Sequence, residues 1–482
     1  MHEQNGTASE NRLPTDAPRE RWPRQVRYIL GNEAAERFSY YGMKGILALY
    51  ITNVLLKTKD QATNIIHLFT FANYFMPLFG AWVSDRFWGR YRTILWISLA
   101  YCVGHGVMAL SDAIQTLDGK ALALYIGLGL IAFGSGGIKP CVSAFMGDQF
   151  KPEQRHLLQK AYAAFYWMIN LGSTAAFLII PWIRKNYGYS LAFGVPGLAM
   201  AFATFIFWLG TKHYVMVPPS RQTNTAGFFR VFSYAFMNRR RRNPGQSFWD
   251  VAREKFSDAE VDAAKSVGPI LSIFAFAPIF WSLFDQTFST WVLQGAQMVP
   301  YKLGNYTIGP EEMLSANPIL VMIFVPVMTW WVYPLLGRLA TPLRRMSAGM
   351  FLGAVSFVVV AMMQARLEAG EKLSVLWQIV PYVIITIAEV LFSTTGLEFA
   401  FREAAPSMKS TIMGFWSLTV ALGNLFVSVL TKVLAAAGGA HDAAVSTHRF
   451  LLYAGMTFVV AIGFSVVASF YRYRDDAAAH GR

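Results

Sequence analysis

Apolar segments of about 20 residues recur along this chain, and that length matches the hydrocarbon core of a bilayer. Of its 482 residues, 54% are hydrophobic and only 15% are charged, whereas soluble domains carry about 25% charged residues. We therefore predict an all-α integral membrane protein with twelve transmembrane helices. These helices are centred near Gly42, Asn73, Cys102, Phe133, Asn170, Phe202, Phe280, Phe324, Val355, Thr386, Val420 and Val459.

The first apolar segment contains ionisable side chains, which are costly in lipid and are kept where they face water or one another. At about 100° per residue, Glu33, Arg37, Tyr40 and Lys44 fall within about 60° on one helix face. Glu36 lies beside them. A stripe of acids and bases inside a membrane indicates handling of protons or of a charged solute, although a buried Arg37–Glu36 pair that only holds the fold is an alternative.

Most lysines and arginines lie in the termini and the even-numbered loops, which predicts that both termini are cytoplasmic. The densest basic cluster, residues 239–242, falls in a predicted cytoplasmic loop rather than on a soluble basic face. We therefore expect no nucleic-acid partner, and contact with anionic lipid is the milder interpretation of the cluster. We expect the lipid bilayer to be the partner that surrounds this protein.

Six apolar segments precede and six follow a longer polar segment, a layout typical of transporters whose two bundles rock about a midplane site. Short amphipathic helices are predicted in that linker at 248–253 and 258–261. The predicted divisions are a disordered cytoplasmic tail at 1–23, an N-terminal six-helix bundle at 24–211, a cytoplasmic linker at 212–265, a C-terminal six-helix bundle at 266–471 and a cytoplasmic tail at 472–482.

The charge inside the predicted spans differs between the two halves. The first half offers Arg37 and Lys139 as cations, and the second half offers Asp285 and Glu389 as anions. A cavity with a positive wall and a negative wall suits a zwitterion that carries a carboxylate at one end and an amine at the other. The sequence has no nucleophile with an adjacent base, no metal-ligand spacing and no phosphate-binding loop, so we expect neither an enzyme nor a cofactor other than protons.

Several motifs follow one another in the order known from one family. Residues 80–92 resemble the short-loop signature of the major facilitator superfamily, in which Asp85 and Arg86 would act as a gate. Residues 33–42 resemble the ExxERFxYYG signature of the proton-dependent oligopeptide transporters. Similar matches to this family occur at residues 133–150, 165–173, 280–286, 317–318 and 389–399. The resemblance covers the whole predicted membrane domain and implies the superfamily fold of two six-helix bundles.

This resemblance implies proton-coupled import of di- and tripeptides by alternating access. The substrate-binding residues would be Arg37, Tyr40, Tyr74, Lys139, Tyr166, Asn170, Trp281, Asn317, Glu389, Ser393 and Trp416. Arg37 and Lys139 would bind the carboxyl end of the peptide, and Glu389 with Ser393 the amino end. The proton-coupling residues would be Glu33, Glu36, Arg37, His67, Lys139 and Asp285. Lys44 would pair with Asp285 as an outer gate, and Lys139 is expected opposite Glu33.

Other interpretations stay open at this point. A related solute such as nitrate is possible, although an anion offers no amine to Glu389. His67 could serve only as a hydrogen-bond partner of a neighbouring helix, and His105 is interpreted as structural. Glu398 lies about 180° from Glu389 on an unbroken helix and is expected to brace the cytoplasmic end. The compact architecture predicts a bacterial inner-membrane protein, and we expect a monomer.

Overall fold

The computed structural model describes residues 22–219, 227–437, 444–471 and 473. The tails predicted at 1–23 and 472–482 lie outside the described residues, apart from residues 22, 23 and 473. Among the described residues the structure is helical, with one short hairpin.

Six long helices form the first bundle, which we call the N bundle. They are α1 (Val26–Asn53), α2 (Lys59–Val83), α3 (Gly89–Ala109), α4 (Leu117–Asp148), α5 (Arg155–Tyr187) and α6 (Tyr189–Leu209). Local chemistry sets where α2 begins: the Thr58 side chain accepts from the Gln61 amide, and the Gln61 side chain accepts from the Thr58 amide, which forms a capping box. A π-helical turn, Ser84–Trp88, then joins α2 to α3.

Close backbone approach holds these helices together without large side chains. A Cβ atom added to Gly80 of α2 would lie 2.0 Å from the carbonyl oxygen of Gly137 on α4. Small residues at such positions allow membrane helices to pack through their backbones, since lipid supplies no hydrophobic force between helices. The glycines of the fourth segment therefore position α4, and with it Lys139, against α2.

The linker contains two short α-helices, α7 (Phe228–Met237) and α8 (Asp258–Lys265). The sequence predicted a helix at 258–261, where α8 begins behind a capping box formed by Ser257 and Glu260. The helix predicted at 248–253 corresponds to a 3₁₀ turn at Asp250–Glu254. The sequence analysis did not predict α7.

The second bundle, the C bundle, consists of helices that are more often interrupted. Its α-helices are α9 (Val267–Phe274), α10 (Ala277–Phe284), α11 (Thr290–Gly295), α12 (Ala316–Val327), α13 (Tyr333–Leu336), α14 (Pro342–Glu368), α15 (Ile379–Glu389), α16 (Thr395–Glu403), α17 (Lys409–Ala436) and α18 (Thr447–Phe470). Two π-helical turns, Met328–Val332 and Val390–Thr394, interrupt the α12–α13 and α15–α16 segments. Such turns occur often at functional sites.

An antiparallel hairpin that the sequence analysis did not predict lies between α11 and α12. Strand β1 (Tyr301–Leu303) pairs with β2 (Tyr306–Ile308), with Tyr301 opposite Ile308. We call the end of the molecule that carries this hairpin, where α1 ends and α2 begins, the hairpin end. The opposite end is the linker end.

Nine helical segments in the described part of the chain are long and apolar enough to cross a membrane, or ten if the segment bent by 47° between Phe274 and Ala277 counts as one span. One of the nine, Lys59–Ala113, contains both α2 and α3. Helix α1 is not among them, and it carries four ionisable residues within its apolar stretch. These observations are consistent with twelve spans.

Candidate functional site

The charged residues of the first predicted span form a compact cluster on α1. The Nε atom of Arg37 lies 2.7 Å from Oε1 of Glu33 and 2.8 Å from Oε2 of Glu36. The hydroxyl of Ser135 on α4 donates to Oε1 of Glu36 over 3.1 Å. All three ionisable side chains are buried. One cation is therefore shared between two carboxylates, which leaves the cluster with an excess of negative charge while both carboxylates are ionised.

Lys139 lies between two aromatic rings. Its Nζ atom is 4.7 Å from the ring centre of Tyr40 and 4.4 Å from that of Tyr74, a geometry in which a cation is attracted by the ring faces. Nζ is buried and has no hydrogen-bond partner among the described residues. Arg37, and not Lys139, forms the ion pair with Glu33. Lys139 interacts with Glu33 only through longer-range electrostatics, so its place opposite Glu33 in the transport site stays a prediction. Lys139 retains three N–H donors without a partner in the described structure.

The anionic wall of the site is built around Glu389 at the end of α15. The side-chain amide of Asn317 donates to Oε2 of Glu389 over 2.8 Å and to the Thr386 hydroxyl over 3.1 Å. Among the described residues no cation forms an ion pair with Glu389, so its charge is available to another group. Ser393 lies in the π-helical turn that follows Glu389.

Three tyrosines link the two walls. Tyr41 and Tyr74, both from the N bundle, interact electrostatically with Arg37 of the N bundle and with Glu389 of the C bundle. Tyr166 also interacts with Glu389 and remains 38% exposed. The electrostatic interactions of these N-bundle tyrosines therefore reach the cation of the N bundle and the carboxylate of the C bundle.

Other predicted site residues are placed differently. The side-chain amide of Asn170 donates to the carbonyl of Tyr166 within α5 over 2.9 Å. Trp281 and Trp416 lie with their ring centres 6.0 Å apart and are both buried in the C bundle, where Trp416 also stacks on Phe392. In this conformation the two tryptophans pack against aromatic neighbours.

A chain of hydrogen bonds joins the two bundles towards the hairpin end. Nζ of Lys44 lies 3.3 Å from Oδ1 of Asp285, and the Asn424 amide donates to Oδ2 of Asp285 over 2.7 Å. The Nδ1 atom of His67 is 2.7 Å from Oδ1 of Asn424, and Nε2 is 2.9 Å from the hydroxyl of Ser289. Because the amide nitrogen of Asn424 donates to Asp285, its oxygen must accept, so Nδ1 of His67 carries a proton.

These hydrogen bonds include the predicted gate pair, Lys44 and Asp285, which are in contact. They also include two residues that the sequence analysis missed. Asn424 connects Asp285 to His67, and Ser289 occupies the other ring nitrogen. The available signal was weak: Asn424 is a polar side chain in the middle of an otherwise apolar span. His67 thus has the interhelical hydrogen bonds that we considered as its alternative role, and it makes them directly beside the Lys44–Asp285 pair.

A second set of ion pairs at the hairpin end was not predicted. Arg184 contacts Glu311 through Nε at 2.9 Å and through a terminal guanidinium nitrogen at 2.7 Å. Lys185 pairs with Glu312 and donates to the carbonyl of Thr307 over 2.8 Å. Adjacent basic residues that end one span and adjacent acidic residues that begin another were the signal in the sequence. The polar contacts between the bundles thus cluster at this end.

The short loop at the linker end contains an ion pair that the sequence analysis did not predict. Asp85 and Arg86 are exposed, and neither forms a hydrogen bond or ion pair with another described residue. Arg90 instead pairs with Asp148 at 2.5 Å and so ties the start of α3 to the end of α4. Glu398 pairs with Arg345 over 3.2 Å, so it does brace this end. The gate role of Asp85 and Arg86 stays a prediction.

No cluster of three or more potential metal ligands occurs among the residues that the structure describes. The two cysteines, Cys102 and Cys141, are free thiols.

Comparison with known proteins places the chain in a family. The family model "POT family" matches residues 91–445. "Peptide transporter family 1" of Drosophila melanogaster is 39% identical over 368 residues, which cover 73% of this chain and 49% of that protein. "Solute carrier family 15 member 2" of Danio rerio is 38% identical over 352 residues, with 70% and 49% covered. The chain thus spans about half the length of the curated relatives it matches.

Solved structures agree over nearly the whole chain. The in meso crystal structure of the POT family transporter PepTSo matches with a TM-score of 0.84 at 37% identity, covering 93% of this chain and 98% of that one. The crystal structure of an auto inhibited POT family peptide transporter gives 0.83 at 37% identity with the same coverage. The predicted membrane fold of two helical bundles is confirmed. Because the family model matches more than half of it, this chain belongs to the POT family.

Proposed function

We propose that this protein is a proton-coupled symporter that imports di- and tripeptides by alternating access. One observation carries this proposal. The N bundle offers the Lys139 ammonium without a hydrogen-bond partner, and the C bundle offers the Glu389 carboxylate without an ion-pair partner. A short peptide has a carboxylate for the first and an amine for the second. Similarity to the Drosophila melanogaster peptide transporter and to the auto inhibited POT family peptide transporter supports the same substrate class.

The proposed binding roles follow from chemistry. Lys139 and Arg37 bind the peptide carboxylate, and Glu389 with Ser393 binds the amine. Asn170 and Asn317 give up their present bonds to contact the peptide backbone. The remaining predicted contacts are aromatic and line side-chain pockets: Tyr40, Tyr74, Tyr166, Trp281 and Trp416.

Proton coupling is proposed to arise from competition for Arg37. A peptide carboxylate that approaches Arg37 weakens the bonds of this guanidinium to Glu33 and Glu36, and a buried carboxylate that loses its cation favours the protonated form. Binding of the peptide and uptake of a proton would then be linked. Towards the hairpin end, protonation of Asp285 would likewise release Lys44, and His67 lies one residue away through Asn424. Protons are the coupling ion, and no other cofactor is proposed.

The clustering of polar contacts between the bundles at the hairpin end supports a state that opens towards the linker end. We propose that the linker end is cytoplasmic, with both termini on that side, that the protein resides in a bacterial inner membrane, and that it works as a monomer. Lys44 and Asp285 would close the outer side, and Asp85 with Arg86 would act in the loop at the inner side.

The deciding experiment is uptake of labelled dialanine into proteoliposomes, with and without an inward proton gradient. We expect accumulation only with the gradient. The Glu389→Gln variant should lose affinity for dialanine by roughly 10- to 100-fold, since a hydrogen bond to a charged group contributes about 1.5–3 kcal/mol. N-acetyl-dialanine, which lacks the amine, is the matched control, and its weak competition should be the same for the variant and the parent.

Two outcomes would contradict the proposal. Dialanine that neither accumulates nor competes with any substrate would exclude a peptide transporter. Gradient-driven uptake of nitrate, unaffected by dialanine and by Glu389→Gln, would favour the anion alternative.

A further inference from the structure

Helix α7 in the linker presents apolar side chains on two faces. Phe228, Val231 and Ala235 are buried, and they follow the spacing of one helix face. Phe229, Phe236 and Met237 point outward with 63%, 50% and 80% of their surface exposed. Phe232 lies with this second group and is 38% exposed. The buried face explains how α7 attaches to the protein. The second face has ring contacts only at its edges, of Phe229 with Phe415 and of Phe232 with Phe248 and Trp249, and it stays exposed.

The position of α7 brings the exposed face to the edge of the membrane-spanning region. The rings of Phe228 and Phe229 lie 5.5 Å and 5.7 Å from the ring of Phe415. Phe415 is six residues, or about 9 Å, into the spanning helix α17, at 1.5 Å per residue. Helix α7 therefore begins at the level of the first turns of a helix that crosses the bilayer. Its outward side chains are therefore near the level at which α17 would enter the bilayer.

Basic groups surround this apolar face. Four consecutive arginines, residues 239–242, follow α7 directly, and none of them forms an ion pair with a described carboxylate. The guanidinium of Arg239 lies over the ring of Phe236 at 4.3 Å, so charge and apolar surface are contiguous. Arg230 is exposed within α7 itself. An open groove of about 420 Å³ beside α7 is lined by both basic and apolar side chains, among them Arg230, Lys255 and Met237.

The nearby carboxylates do not neutralise this patch. Asp250, Asp258 and Asp262 all gather around one guanidinium, that of Arg253, at 3.4, 2.6 and 2.5 Å. The hydrogen bond from the backbone amide of Ser247, together with the guanidinium of Arg253, holds the pKa of Asp250 below its usual range. These three carboxylates therefore contact Arg253, and none of them pairs with the arginines at 239–242, which stay available to a partner outside the chain.

We propose that α7 and residues 239–242 form a membrane-surface element that binds an anionic bilayer: the exposed phenylalanines enter the headgroup and acyl boundary while the arginines contact lipid phosphates. Amphipathic helices of this kind insert their apolar side by about 5–10 Å, and each basic residue near an anionic surface strengthens the attraction. Since the linker joins the two bundles and α7 touches α17, lipid charge would fix the linker relative to the C bundle.

The test measures the depth of α7 in the full-length protein. A nitroxide is attached to Ser233→Cys, an exposed position on α7 beside Phe232, after Cys102 and Cys141 are changed to alanine. Labelled protein is placed in nanodiscs of phosphatidylcholine, alone or mixed with phosphatidylglycerol. Accessibility of the nitroxide to oxygen, relative to a water-soluble nickel complex, reports its depth. The matched control is Ala259→Cys on α8, an exposed position on a helix whose surface is charged.

We expect the Ser233 label to be more accessible to oxygen than to the nickel complex, and to lie deeper in the anionic discs. At high salt the label should move towards water, because salt screens the attraction. The Ala259 label should stay in water throughout. Changing all four arginines, Arg239→Gln to Arg242→Gln, should abolish the difference between the two lipid mixtures while the oxygen preference persists.

Two results would overturn the proposal. A Ser233 label as accessible to nickel as the Ala259 label in both lipid mixtures would show that the bilayer does not cover this face. A Ser233 label that is protected from both reagents in discs holding two copies, but not in discs holding one, would assign the face to a second copy of the chain.

Discussion

The Lys44–Asp285 pair offers a quantitative test of how the hairpin end is closed. Both side chains are almost fully buried, with 2% and 4% of their surface exposed, and Nζ lies 3.3 Å from the carboxylate. At an effective dielectric constant of about 20, unit charges at that distance attract by roughly 5 kcal/mol. Removing one member of a buried pair costs about 3–5 kcal/mol, because the other charge stays buried and unpaired.

The Asp285→Asn variant should therefore destabilise the closed state specifically. When the hairpin end opens, Lys44 regains water, so the cost falls on the closed conformation. A penalty of about 3 kcal/mol shifts the closed-to-open ratio by roughly 100-fold. The double variant Lys44→Gln with Asp285→Asn should recover part of the closed population, since it leaves no unpaired buried charge and Asn424 can still donate to the new amide.

Double electron–electron resonance between nitroxides on Leu56 and Lys372 measures this population, because both residues are exposed in loops at the hairpin end and belong to different bundles. We expect a longer-distance component in Asp285→Asn that shrinks in the double variant. Lys302→Gln, which removes an exposed cation of the hairpin at the same end, should leave the distribution unchanged. The reasoning is refuted if Asp285→Asn matches the parent, or if the double variant is more open than the single one.

Three further predictions follow from other contacts. Gly80→Ala should destabilise the protein by about 1–3 kcal/mol and so lower its thermal unfolding midpoint, because the new Cβ would meet the α4 backbone. Gly129→Ala has open space around it and should leave the midpoint unchanged. Equal midpoints of the two variants in calorimetry would refute this prediction. Lys139→Gln should raise the KM for dialanine about 10-fold or more, whereas Lys120→Gln on the same helix should leave it unchanged. A KM of Lys139→Gln equal to that of the parent would show that Lys139 does not bind the peptide. Glu33→Gln should reduce pH-driven accumulation of dialanine more than its exchange at equal pH, and undiminished accumulation would count against the coupling proposal.

Much of the architecture could be predicted because membrane helices must satisfy their backbone hydrogen bonds internally. Length and hydropathy then locate the spans, and the helical repeat places Glu33, Arg37 and Lys44 on one helix with known spacing. The interruptions of the C bundle could not be predicted. The π-helical turn after Glu389 and the bend before Ala277 depend on how neighbouring helices pack, and the hairpin at 301–308 is too short to give a strong periodic signal.

The partners of the charged residues were harder to predict than their presence. Spacing and composition do not show whether Glu33 pairs with Arg37 or with Lys139; in the structure it pairs with Arg37, its neighbour on α1. The role of Asn424 was invisible for the same reason, since a lone amide acquires its importance from Asp285 and His67, which lie far away in the chain. The pairs of Arg184 with Glu311 and of Lys185 with Glu312 join the end of α5 to the turn that precedes α12, and the proximity of these two segments depends on how the bundles dock.

The sequence by itself determined that this chain spans a membrane, that it carries cations in one half and anions in the other, and that its motifs belong to one family. Those properties follow from composition, spacing and the cost of charge in lipid, which are all local. The tertiary structure alone decided that Lys139 keeps its donors free, that the polar contacts between the bundles gather at the hairpin end, and that α7 is left with an uncovered apolar face. Each of these depends on the relative placement of helices, which packing between distant segments sets.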